Sequence, residues 1–123
     1  MEQEKFSWRK RFRSFRFAGA GLRLVFKTEH NAWLHLAATL AVIFFAILFH
    51  VSATEGALLA VAIGLVWMAE LFNTCIEKIM DFISKEKHPE IRLIKDISAG
   101  SVLVAAIISF VIGCLVFIPK FFN

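Results

Sequence analysis

The chain has no tyrosine, two cysteines and two prolines in 123 residues, and two long stretches hold no Asp, Glu, Lys or Arg. Two cysteines leave little room for a disulfide framework. Cys75 and Cys114 fall near opposite ends of the apolar segments described below, farther apart than a disulfide can bridge, and read as small apolar residues. No internal repeat, low-complexity segment or linker divides the chain, and residues 1–123 read as one domain. The uncharged stretches, residues 30–54 and 97–119, exclude an ordinary soluble fold. Each exceeds the roughly 20 apolar residues that a membrane-spanning helix needs.

Hydrophobic residues make up 59% of the chain, above the share usual in soluble domains. A third apolar run, residues 56–69, continues into Leu71, Phe72, Ile76, Ile79 and Met80. The fold class is therefore an all-α membrane protein with three transmembrane helices, at about residues 31–49, 54–82 and 91–118, with Pro119 ending the last. A polar turn containing Pro89 separates the second and third spans.

The formal net charge of +4 does not point to nucleic acid, because the cations are segregated. Eight lie from Lys5 to Lys27, five from Lys78 to Lys95, and Lys120 is last, while the loop between the first two spans has none. The positive-inside rule puts the N-terminus and the 84–90 turn in the cytoplasm and the C-terminus outside. Residues about 5–28 read as an amphipathic interfacial helix. Trp8, Phe12, Phe15, Gly19, Leu22 and Phe26 share one face, beside a stripe of Arg9, Arg13, Arg16, Arg23 and Lys27. The small residues 18–21 are no phosphate loop, since the Lys-Ser/Thr ending is missing. Trp33 and Trp67 read as interfacial anchors, and Glu55 as a helix-capping residue at the outer face.

The most informative pattern is polar. Glu70, Asn73, Glu77 and Asp81 recur at i, i+3, i+7 and i+11, which puts them on one arc of the second span. An ionisable group costs at least roughly 2.5 kcal/mol at the bilayer centre, so several acids on one face call for a compensating partner, most simply a divalent cation. Glu29, Asn31, His35, Lys95 and Asp96 fall at the same cytoplasmic depth. Two carboxylates such as Glu29 and Glu77 suit Mg²⁺, which takes hard oxygen ligands and shares them with phosphates. Lys95 suits phosphate charge. A small oligomeric proton or cation conductor is the competing reading, but it calls for acids near mid-membrane on several spans, and the first and third spans have none there.

The stretch Glu70-Leu-Phe-Asn73-Thr74-Cys-Ile-Glu77, followed by Asp81, resembles the signature of the bacterial diacylglycerol kinase and undecaprenol kinase family. Lys95-Asp96 with Ala99-Gly100 resembles its second motif, and Glu29, Asn31, His35 and the closing Phe117-Ile-Pro119-Lys120 match as well. The resemblance runs over nearly the whole chain. It implies a small integral lipid kinase of the bacterial inner membrane, a homotrimer whose active sites are shared between subunits, using ATP with Mg²⁺. By position, Glu70 looks like the proton acceptor for the lipid hydroxyl, and Glu29 and Glu77 like the Mg²⁺ ligands that hold ATP. Asn73, Glu86, Lys87, His88, Lys95 and Asp96 look like nucleotide-site residues. Lys10 and Phe17 stand where the diacylglycerol branch has an Arg and a Tyr that contact ATP. Arg23, Asn31, His35 and Ala99, with Glu70, look like the lipid-binding set. Asn31, His35 and the His88-Pro89 turn resemble the undecaprenol kinase branch more than the diacylglycerol branch.

Overall fold

The computed structural model describes residues 3–123, which form four helices. They are α1 (Trp8–Thr28), α2 (His30–Leu48), α3 (Ala53–Ile83) and α4 (Pro89–Phe121). The last three are long and apolar enough to cross a membrane. Two compact units divide the chain, one ending at Trp33 and the other running Leu34–Asn123.

In the N-terminal unit, Ser7 is extended and α1 begins at Trp8, the first residue of the aromatic face and three residues later than the expected range of about 5–28. Lys10 pairs with Glu4 at 3.0 Å, and Arg11 lies over the Phe6 ring. A single extended residue, Glu29, separates α1 from α2, and its N–H bonds to the Val25 carbonyl. Across that break the Trp33 indole N–H donates to the Phe26 carbonyl at 2.9 Å.

In the second unit, α3 and α4 lie antiparallel along their lengths. Three polar ties mark the register: Lys95 to Asp81 at 2.6 Å, the Ser109 hydroxyl to the Ala62 carbonyl at 2.9 Å, and Lys120 to Glu55 at 2.9 Å. Buried apolar residues on these helices are mostly modest in size, namely Leu59, Ala62, Ala105 and Val116. Small side chains let helices approach closely where lipid, unlike water, gives no hydrophobic drive to associate. Large side chains face outward instead, with Phe110 74% and Leu115 71% exposed, as lipid-facing residues should be. Phe49, just past the end of α2, stacks against Phe45 and meets Phe117 and Phe121 of α4.

Each helix end has a local cause. After α2, His50 takes φ 53°, and the Val51 and His50 N–H groups bond to the Ala46 and Ile47 carbonyls. This is the closing pattern that usually recruits glycine. The Ser52 hydroxyl caps α3 by accepting from the Glu55 N–H. Glu55 therefore has its backbone capped, while its carboxylate reaches across to Lys120. His88 Nδ1 caps α4 by accepting from the Glu90 N–H, with Pro89 as the first helical residue. Proline is favoured there because its missing N–H would have had no helical partner. Pro119 does not end α4 as expected; the helix runs on to Phe121. Its ring costs the bond to the Leu115 carbonyl, which is cheapest in a last turn whose own carbonyls already lack partners.

Candidate functional site

The polar arc of α3 is graded in burial. Glu70 is 2% exposed, Asn73 and Thr74 are buried, Glu77 is half-buried, and Asp81 is open to solvent. Glu70 Oε2 lies 3.3 Å from His35 Nε2 of α2. Asn73 Nδ2 lies 3.5 Å from Glu77 Oε1, at the limit of a hydrogen bond, and its Oδ1 has no partner. The unmet amide oxygen, the His35-bound carboxylate and the half-open Glu77 together form a polar wall one helical face wide.

Beyond the open end of that wall, the 84–88 turn and the start of α4 enclose a concavity of about 540 Å³. That volume is within the roughly 300–1,000 Å³ typical of small-molecule sites. Its lining brings together Glu86, Lys87, His88, Lys95 and Asp96, as the sequence anticipates for a nucleotide site, and adds Lys85, Arg92 and Asp81. Lys95 is held in place by its ion pair with Asp81. His88 spends Nδ1 on the α4 cap, leaving Nε2 as its outward group. On the apolar side, a cavity of about 110 Å³ is bounded by His35, Thr39, Trp67 and Ser109 among aliphatic residues.

The remaining predicted residues lie outside this lining. Lys10, Phe17, Arg23 and Asn31 are exposed in the N-terminal unit, where Glu29 is half-buried at the α1–α2 break. Ala99 is exposed on α4. Trp67 is not an interfacial anchor: its indole N–H turns inward to the Thr39 hydroxyl at 2.9 Å. Sequence reasoning missed two further residues, Thr74 and Ser98, whose buried hydroxyls lack partners. Thr74 sits within the α3 motif and Ser98 two residues after Asp96, so adjacency to the motifs was the available signal. No three His, Cys, Asp or Glu side chains among the described residues gather into a metal cage.

Residues 16–117 match the family model for prokaryotic diacylglycerol kinase. The chain belongs to the prokaryotic diacylglycerol kinase family. It is 40% identical over 109 residues to the undecaprenol kinase of Bacillus subtilis (strain 168), covering 89% of each chain. It is 37% identical over 107 residues to a diacylglycerol kinase of Synechocystis sp., covering 86% of this chain and 61% of that relative. The family resemblance read from the motifs is thus borne out, and with it membership of a group of lipid kinases. The matched segment contains α2, α3, the 84–88 turn and most of α4, so the graded polar arc and the concavity are family territory, whereas Lys10 precedes it.

Proposed function

We propose that this chain transfers the γ-phosphoryl group of ATP to the hydroxyl of a membrane lipid at the cytoplasmic face of the bacterial inner membrane. The carrying observation is the graded arc: a buried carboxylate, Glu70, at its apolar end and a basic-lined concavity beyond its wet end. A lipid hydroxyl would reach Glu70 from the bilayer, and a nucleotide would enter from water beside Lys95, Asp96 and the 86–88 segment. Glu70 accepts the hydroxyl proton as the oxygen attacks, and Asn73 orients the neighbouring groups. Lys95 offsets phosphate charge. Positioning and charge neutralisation supply most of the catalysis in such transfers.

Mg²⁺ fits this donor set. Two carboxylates completed by nucleotide phosphates, rather than an all-protein cage, is how that ion is usually held. Glu29 and Glu77 would hold it, and when bound it neutralises charge on the phosphates. α1 would lie in the interface, with Trp8, Phe12 and Phe15 toward the lipid and its arginines toward anionic head groups. A homotrimer would supply the walls that one thin bundle lacks. Undecaprenol is the favoured acceptor over diacylglycerol, supported by Asn31, His35 and the fuller match to the undecaprenol kinase.

Glu70→Gln tests the assignment. The variant keeps the shape and removes the base, so transfer should fall by at least about 10²-fold while nucleotide binding and helicity persist. Full turnover in Glu70→Gln would remove the proton-acceptor role. Ion flux through liposomes without ATP, abolished by the same substitution, would instead support the conductor.

A further inference from the structure

Glu70 is held by one oxygen only. Oε2 meets His35 Nε2 at 3.3 Å, and Oε1 has no hydrogen-bond partner among the described residues. A carboxylate that is to take a proton must be ionised and can then only accept, so a working Glu70 requires the hydrogen of this contact to sit on Nε2. The imidazole is itself flanked by an aromatic ring. Its ring stands edge-on to Trp67, with centroids 6.0 Å apart. The His35 backbone carbonyl accepts from the Thr39 hydroxyl at 2.7 Å, and that hydroxyl accepts from the Trp67 indole at 2.9 Å. Thr39 thus holds the Trp67 indole, and the Trp67 ring in turn packs on the imidazole between α2 and α3. A histidine merely satisfying its own polarity needs a partner but no such bracing.

We propose that His35 is a positioning residue for Glu70, holding Oε2 through Nε2–H so that Oε1 is presented to the lipid hydroxyl. This rests on the lipid kinase reading above. In the step itself, the hydroxyl proton passes to Glu70 Oε1 as the lipid oxygen bonds to the γ-phosphorus. The bridging oxygen leaves with its electron pair on ADP, and His35 neither gains nor loses a proton. Its role differs from the lipid contact expected from the sequence: it acts on the base, not on the substrate.

Two measurements on the full chain in lipid micelles test this. The first is steady-state transfer from Mg-ATP to undecaprenol. His35→Ala should lower kcat by about 10²-fold, the scale of a misplaced catalytic group, with KM for lipid and ATP little changed. His35→Gln, whose amide N–H falls near the place of Nε2, should recover most of the rate. A raised lipid KM with kcat preserved in His35→Ala would mean that His35 binds lipid, and would overturn the proposal. The second is ¹⁵N-histidine NMR, which needs no turnover; the His35 signal is assigned by its loss in His35→Gln. The Nε2–H tautomer with a shift in Glu70→Gln is expected. An Nδ1–H tautomer, or no response to Glu70→Gln, would overturn it. A wild type with the expected signal but no transfer to any lipid would refute the kinase reading, and the catalytic role with it, leaving only the pair.

Discussion

Thr74 and Ser98 offer a prediction whose sign runs against habit. They are 2% and 5% exposed, and neither hydroxyl has a partner. A helical Ser or Thr normally bonds back to the carbonyl one turn earlier, as Thr39 does to His35. A buried unpaired hydroxyl costs about 1–3 kcal/mol in lost hydration. In a membrane the unfolded reference also finds partners, which argues for the low end, about 1 kcal/mol each. Thr74→Val and Ser98→Ala should therefore each stabilise the fold by about 1 kcal/mol. Thr74 lies between the Ala62 and Asp81 ties on α3, and Ser98 between their Lys95 and Ser109 partners on α4. Thermal unfolding in detergent micelles, followed by circular dichroism, should give midpoints a few degrees higher, on the soluble-protein scale of about 2–8 °C per kcal/mol. A lower midpoint in either variant would refute the reasoning, because it would mean that the hydroxyl is paired, by water or ligand, in the working protein.

Three other perturbations follow from the geometry. Phe49→Ala removes a half-buried ring packed on Phe45, Phe117 and Phe121; about half the usual 3–5 kcal/mol, or ~2 kcal/mol, should be lost in a denaturant titration in micelles. His50→Gly should stabilise by up to about 1 kcal/mol, because glycine adopts the left-handed turn freely, whereas His50→Val should destabilise; the same titration reads both. Lys95→Met should raise the KM for ATP by about ten-fold or more, the worth of one charged hydrogen bond, and an unchanged KM would remove Lys95 from the nucleotide site.

The spans were readable because lipid imposes a length and an apolar composition that few other environments demand; α2, α3 and α4 begin and end within three residues of the expected limits. The burial of Glu70, Asn73, Glu77 and Asp81 falls off in their order along α3, as one face of a helix leading away from the packed core allows. Pairings across helices were not readable. His35 and Glu70 are 35 residues apart, and their contact depends on how α2 and α3 are rotated, which periodicity leaves open. The same ignorance made Trp67 look like an anchor and left Lys95 without Asp81. Pro119 misled because a proline near a helix end can either stop it or ride in its last turn. Thr74 and Ser98 were overlooked because a small hydroxyl gives no hydropathy signal, and its burial emerges only on packing.

The most direct test of the central claim is transfer from γ-labelled Mg-ATP by the purified protein in lipid micelles, with undecaprenol and diacylglycerol offered together. The account predicts label in the lipid fraction, with undecaprenol phosphate in excess. Label confined to diacylglycerol would contradict the substrate assignment. Folded, ATP-binding protein that labels neither lipid would contradict the kinase itself.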